Sequence, residues 1–416
     1  MRKILYFHHG GAIGGAPLSL LFLLRALDRS RYIPIVVTTR PGPIIDLYRH
    51  EGIETHVATD VSTNVEGRID DFSHTTLEWY NHRHWWPLPG RLLRFGASIR
   101  NAQRIVERFQ PDLVHLNSST LAAAAIGTRR AGVPLVWHIR EPLARGYLGL
   151  RRAWLRSVIH RTADRVVAIS HHDAGRLLPS ERIRVIYNFV DLAHFDRNLS
   201  GDAVRAELGI APDAKVVVML GGVAPPKGTL TLVRALPRVL AAHPGVRFLV
   251  AGPAPRTLDE GGVKGLAKRL LGVDAYQRRV IRALNETNAG DALTFTGVRQ
   301  DIPQVIAASD LLIFPSTVPH FARPVIEAAA MAKPAIASDL GGPAELIVHG
   351  ETGLLVPPNN PGALADAITE LLNDPDRASE MGEAGYQRAC KHFNAGVNAR
   401  ATLALYDEIL AERGAL

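Results

Sequence analysis

A single cysteine, Cys390, stands among 416 residues. That excludes an internal disulfide and suits a reducing compartment. No apolar run approaches the length of a membrane span, and the opening MRKILYF meets His8-His9 before a signal-peptide core could form. A cytoplasmic protein is therefore expected. Carboxylates are in the minority, with 40 acidic side chains against 48 lysines and arginines. The resulting formal charge of +8 implies an anionic partner such as a phosphate, a lipid head group or a nucleic acid. Because the basic residues are spread along the chain rather than gathered with aromatics, nucleic acid is disfavoured. A further absence concerns the second predicted strand, Ile33 to Thr38, which runs into Thr39-Arg40-Pro41-Gly42-Pro43 with no acid at its end. The glycine-rich stretch HHGGAIGGAP after the first strand is thus a poor nicotinamide fingerprint.

What is present is ample apolar material, 47% of residues, in a chain too long for one core. Strand-like apolar runs alternate with helical stretches from PDLVHLN through VPLVWHIREP, DRVVAIS and IRVIYNFVD, the rhythm of a doubly wound α/β sheet. Two such domains are expected, residues 1–195 and 196–394, with Asn198-Leu199-Ser200-Gly201 and Ala211-Pro212-Asp213 in the link between them. The first domain begins with a strand over Lys3 to Phe7 and a helix from Pro17, a residue suited to a first helical position, to about Leu27. Gly14 and Gly15 would let amides at that helix start face a phosphate or sugar. His138 ends the strand Leu135 to Trp137, with Arg140 and Glu141 beside it. In the second domain an exposed Lys227 at a helix start opposes the helix dipole, which argues for a bound anion.

The most informative stretch is 312–354, LIFPSTVPHFARPVIEAAAMAKPAIASDLGGPAELIVHGETGL. Leu311 to Phe314 reads as a buried strand, Val325 to Met331 as an Ala-rich helix with Glu327 in its first turns, and Ala335 to Ser338 as the next strand. Gly341-Gly342 breaks the chain after it. Two strands joined by a helical crossover are parallel, and ligands sit at the carboxyl ends of such strands.

This stretch resembles the signature of the retaining glycosyltransferases of family 4, two-domain GT-B enzymes that use nucleotide-activated sugars. Phe321, Glu327, the run Ala332 to Ser338, Gly341-Gly342, Glu345, Gly350 and Gly353 all fall in step. The resemblance implies two Rossmann-like domains facing a cleft, with a last segment, 395–416, whose helix crosses back to the first domain. It implies that Glu327 binds the nucleotide ribose. Lys227-Gly228 matches the element that neutralises the donor diphosphate, and Gly297 and Val298 border the nucleobase; either His320 and the backbone amides of Phe321, Ala322 and Arg323 take the sugar contacts of the family's first Glu, or the activity is altered. On the acceptor side it points to Gly14, Gly15, which also borders the donor phosphates, and Arg140 with Glu141. His138 matches the family histidine near the anomeric carbon. The chain departs from the pattern at two places: Pro319 stands where the family has its first Glu, and Gly222 where it has an Arg, a charge that Arg323 could replace.

The activity so implied is transfer of a sugar, with retention, from a nucleotide diphosphate sugar to a saccharide, lipid-linked or small-molecule acceptor, with no cofactor and no obligatory metal. Asp374-Pro375-Asp376 has the form of an acidic metal motif but sits in a helix-breaking NDPDR stretch, and reads as a turn. The rival readings are a catalytically silent nucleotide-sugar-binding subunit and a sugar-nucleotide epimerase, which would need more carboxylates around the sugar. Basic amphipathic stretches at GGVKGLAKRLLG and AYQRRVIRAL read either as solvated helix faces or as contacts with the inner face of a membrane, and the aromatics Trp79, Tyr80, Trp85 and Trp86, ahead of a helix from about Leu92 to Phe109, either stack on sugar rings, rest at a membrane interface or cover a small satellite core.

Overall fold

The structure is a computed structural model that describes residues 1–11, 14–61, 88–143, 145, 147–255, 275–287 and 289–414. Trp79, Tyr80, Trp85, Trp86 and the GGVKGLAKRLLG stretch lie outside the described residues. Two compact units result, Met1–Phe189 with Ala395–Leu416, and Val190–Asn394.

The first unit is built on a seven-stranded sheet in the order β3-β2-β1-β4-β5-β6-β7. Its strands are β1 (Arg2–His8), β2 (Tyr32–Thr38), β3 (Glu54–Val57), β4 (Leu113–Leu116), β5 (Leu135–Ile139), β6 (Arg165–Ala168) and β7 (Ile183–Val185). Every pairing is parallel. Parallel sheets are covered on both faces, and successive side chains of β1 show it. Leu5 and Phe7 join a core with α2 (Leu88–Phe109), α3 (Ala122–Arg130) and α4 (Leu150–Thr162), whereas Ile4 and Tyr6 join one with α1 (Gly15–Arg25) and the last helix, Ala395–Glu412. The period of two along each strand divides one apolar run between two cores.

The second unit has a six-stranded sheet in the order β10-β9-β8-β11-β12-β13. Its strands are β8 (Val216–Leu220), β9 (Arg247–Ala251), β10 (Leu293–Gly297), β11 (Leu311–Phe314), β12 (Ala335–Ser338) and β13 (Gly353–Val356), again all parallel. The helices α5 (Thr229–Ala242) and α6 (Arg323–Ala330) follow β8 and β11. In each sheet the strand order reverses once, between β1 and β4 and between β8 and β11. Such switch points splay the connections apart and leave a crevice at the strand ends.

Several local expectations are corrected. Pro17 is the third residue of α1, which starts at Gly15. The link around residue 200 contains a helix, Asp202–Glu207. Gly341-Gly342 opens the helix Gly341–Leu346 rather than merely breaking the chain. Asp374 is less a turn residue than a cap: its carboxylate accepts from the Arg377 amide at 3.0 Å and starts the helix Pro375–His392. Among the described residues no helix is long and apolar enough to cross a membrane.

Candidate active site

At the β8/β11 switch point the chain after β8 turns through Gly221 and Gly222, with φ of +114° and +66°. Both amides donate to the Ala251 carbonyl, at 2.7 and 3.0 Å. A Cβ on Gly222 would lie 2.4 Å from the Pro253 nitrogen. The loop therefore excludes any side chain here, and the arginine that the resemblance would place at this position has no room. Farther on, Gly228 (φ +76°) caps α5, and a Cβ there would be 1.7 Å from the Pro315 carbonyl oxygen. That close approach brings the loops after β8 and β11 together. Thr317 fastens them, its amide donating to Pro226 O at 3.2 Å and its hydroxyl to Pro225 O at 2.8 Å.

Lys227 is held by this junction. It is half-buried, not exposed; its ammonium lies 5.2 Å from the centroid of Phe314 and 3.5 Å from His320 Nε2. The His320 ring packs on Phe314 at 5.3 Å, and its Nδ1 is 3.0 Å from the Val318 carbonyl and 3.3 Å from Ser316 Oγ. Burial first, and then the neighbouring ammonium, push the His320 pKa down to about 4. The ring is thus neutral near pH 7, and with Nδ1–H given to Val318 its Nε2 lone pair is turned to Lys227. Burial lowers the Lys227 pKa as well, against the opposing pull of Glu327.

Glu327 sits in the second turn of α6 and is buried. Its Oε1 accepts from Arg323 Nε at 2.8 Å, so the guanidinium expected beside a diphosphate is engaged with this carboxylate. Phe321 and Ala322 are buried at the helix start. Val298, just past β10, is 76% exposed.

At the β1/β4 switch point the polar groups are deeper. His138 is within β5 rather than past its end, and is 2% exposed. Among the described residues neither of its ring nitrogens has a hydrogen-bond partner. His115, on β4, lies tilted beside it with ring centroids 5.3 Å apart and meets the hydroxyl of Tyr406, from the last helix, at 2.7 Å. Asn117 donates to His8 Nδ1 at 3.1 Å and to Ala16 O at 3.0 Å, and accepts from Arg140 Nε at 2.8 Å. Arg140 also reaches Asn188 Oδ1 at 2.5 Å, which makes it a buried tie between strand ends. Burial, followed by the nearby charge of Arg140 and neighbouring imidazoles, holds His8 and His138 well below the usual histidine pKa, and burial with Arg140 does the same for His115. Glu141 accepts from the Ser118 hydroxyl at 3.2 Å and from the Ser119 amide and hydroxyl, each at 3.1 Å, with His9 Nε2 3.9 Å away. Gly14 caps α1 in extended backbone, and Gly15 opens the helix.

The structure thus groups Lys227, His320, Arg323 and Glu327 in one unit, and His138, Arg140, Gly14, Gly15 and Glu141 around one sheet crevice in the other. Sequence reasoning missed His8, His115 and Asn117. The signal was the HLN at the end of PDLVHLN, polar residues closing an apolar strand. Among the described residues no group of three or more His, Cys, Asp or Glu is placed to hold a metal ion.

Comparisons place this geometry among known proteins. The family model for glycosyl transferases group 1 matches residues 201–388, and that for Glycosyltransferase Family 4 matches residues 13–194. A D-inositol 3-phosphate glycosyltransferase of Mycobacteroides abscessus is 31% identical over 351 residues, 79% of this chain and 71% of that protein. An alpha-maltose-1-phosphate synthase of Mycolicibacterium smegmatis is 29% identical over 316 residues, 71% of this chain and 76% of that one. Among solved structures, Anabaena HepE in complex with UDP and glucose is 23% identical with a TM-score of 0.76, covering 98% of this chain and 100% of that one. That similarity extends the two-unit α/β architecture to GT-B glycosyltransferases.

Proposed function

This chain belongs to the glycosyltransferases of family 4, and on that premise we propose that it moves a sugar, with retention at the anomeric carbon, from a nucleotide diphosphate sugar to a saccharide, lipid-linked or small-molecule acceptor. The observation that carries this reading is Lys227, an ammonium partly stripped of water between Phe314 and a neutral His320 at the switch point of a parallel sheet. Among the described residues no carboxylate forms an ion pair with it. A desolvated cation of this kind is a site prepared for an anion, and in low dielectric it would stabilise the charge growing on a leaving diphosphate.

Glu327 would take the ribose hydroxyls. Its second oxygen is available beside the one given to Arg323, and burial favours a polar partner there. Gly297 and Val298 would border the base. His138, neutral and with two unpartnered nitrogens among the described residues, would accept or donate one hydrogen bond to the reacting groups without adding charge. Acceptor attack on the face that the diphosphate leaves needs no protein nucleophile. With Lys227 and loop amides neutralising the leaving group, no metal is required, so transfer should persist in chelator.

A second reading, a catalytically silent nucleotide-sugar-binding subunit, draws on Pro319 and on the side-chain-free position at Gly222. One experiment separates them. Calorimetry with UDP, GDP, ADP and their common sugar conjugates is run on the natural protein, Lys227→Ala and Glu327→Ala, followed by donor hydrolysis and transfer assays with the nucleotide that binds. Binding weakened by both substitutions, with turnover lost in His138→Ala, supports transfer. Binding without turnover over a broad acceptor panel supports the silent subunit, and failure of a folded protein to bind any nucleotide overturns both.

A further inference from the structure

Three adjacent strands of the first unit end in one polar patch. His9 follows β1, Ser118 and Ser119 follow β4, and Glu141 lies two residues past β5. Both serines are fully buried, whereas the side chains of His9 and Glu141 are 21% and 12% exposed. A closed polar floor thus carries a partly open pair, at the strand ends where parallel sheets collect their ligands.

That floor holds the carboxylate in place. The Ser118 carbonyl accepts from the Trp137 indole at 2.7 Å, and the Ser118 hydroxyl lies 3.0 Å from that of Thr120. Glu141 Oε2 accepts three hydrogen bonds, from Ser118 Oγ at 3.2 Å and from the Ser119 amide and hydroxyl at 3.1 Å each. Its Oε1 accepts one among the described residues, a longer bond of 3.3 Å from Ser118 Oγ. Because a carboxylate oxygen has two lone pairs to offer, Oε1 has room for another donor. It is also the oxygen turned toward His9, 3.9 Å from Nε2. The His9 ring is held in turn, tilted against His8 with centroids 4.9 Å apart, and Asn117 anchors His8 at 3.1 Å.

A separation of 3.9 Å is too long for a direct hydrogen bond and short enough to be bridged. One hydroxyl oxygen about 2.8 Å from both atoms would accept from Nε2–H and donate to Oε1. The carboxylate favours the imidazole tautomer that carries its proton on Nε2. A phosphate in the same place would meet the charge of Glu141, and an ammonium would set its hydrogens against Nε2–H. Only a group that both donates and accepts satisfies the pair, and a ligand hydroxyl that displaces water from it reproduces both of water's hydrogen bonds. We propose that His9 and Glu141 form a hydroxyl-reading pair, which takes one hydroxyl of an uncharged sugar or polyol. That this ligand is the acceptor rests on the transfer reading, whereas the pair itself does not. The family resemblance pointed to Glu141 on this side but not to His9.

The test is a ligand-observed NMR titration of the full chain, without nucleotide, using D-glucose, D-mannose, D-galactose and myo-inositol as probes. At least one should bind, with a Kd of about a millimolar. His9→Ala should weaken that binding by about tenfold or more and Glu141→Gln several-fold, the scale of one hydrogen bond to a charged group. His9→Gln, whose side-chain N–H reaches toward the same place, should keep most of the affinity and controls for any loss of folding in His9→Ala, which melting temperature reports. Among monodeoxy analogues of the probe that binds, one should lose about tenfold on the natural protein and lose little further on His9→Ala, because the same contact is removed twice. The proposal is overturned if none of the probes binds, if His9→Ala and Glu141→Gln bind them as the natural protein does, or if the His9→Ala loss adds in full to that of every missing hydroxyl. Failure to bind nucleotide would sink the transfer reading and leave these titrations standing.

Discussion

The two switch points solve opposite electrostatic problems. Between β1 and β4 three imidazoles are buried and neutral, and the cation beside them, Arg140, is tied to the amide oxygens of Asn117 and Asn188. Between β8 and β11 Lys227 stands in a half-buried site beside the Arg323–Glu327 ion pair, and the imidazole of His320 is what has given up its proton. The first arrangement presents hydrogen-bonding groups of little net charge, as suits polar but uncharged hydroxyl groups. The second presents charge that water does not fully screen, as suits a phosphate.

Acid should expose the contrast most strongly. A base whose folded pKa is depressed stays neutral in the native state, whereas the unfolded chain takes up a proton below about 6.5, so stability is whole above that pH and is lost as pH falls. Each such histidine contributes as much as about 1.4 kcal/mol per pH unit, and His8, His115 and His138 together up to about 4 kcal/mol between pH 7.5 and 5.5. Hydrogen exchange resolved by peptide should show the Met1–Phe189 unit weakening more steeply than the Val190–Asn394 unit, whose site holds the depressed histidine His320. Equal slopes in the two units would break the comparison.

Next in size is Gly222→Arg. With φ at +66° and backbone 2.4 Å from the new Cβ, the cost is expected to be about 3 kcal/mol or more, seen as a lowered denaturation midpoint with no tighter nucleotide binding. A stable variant that binds more tightly would mean that the loop readily opens to admit a second cation. Lys227→Ala should weaken nucleotide binding by about a hundredfold, the scale of a charge-assisted hydrogen bond removed from a partly desolvated site. Calorimetry reads this directly, and His320→Ala should cost less, because it removes a support and not the charge. The smallest effect is expected from Tyr406→Phe, which deletes the hydroxyl facing His115 Nδ1 at 2.7 Å. A loss of about 1 kcal/mol in denaturant unfolding would accord with an ordinary hydrogen bond. A loss several times larger, together with a shifted pH–rate profile, would show that Tyr406 positions the histidine pair.

Much of this was legible beforehand. Alternating apolar runs and their glycine stops indicated two parallel sheets, because a strand buried on both faces leaves little freedom in composition. Glu327 and Lys227 were singled out by the family resemblance, each within one continuous stretch. Their surroundings were not. That Arg323 would turn back onto Glu327 follows from helical i,i+4 geometry, but only once the helix is known to begin at Arg323. The burial of Lys227 depends on Phe314 and His320, brought in from a neighbouring strand and the loop after it.

By itself, then, the sequence determined the layer architecture, the strand ends where chemistry could collect, and the two positions at which this chain departs from the family pattern. Tertiary structure alone decided which side chains meet: His8 with Asn117, His115 with Tyr406, Lys227 with His320. These pairs lie 109, 291 and 93 residues apart, and strand order rather than local periodicity sets such contacts. It also decided which of them keep their charge, since that depends on how much water each site retains.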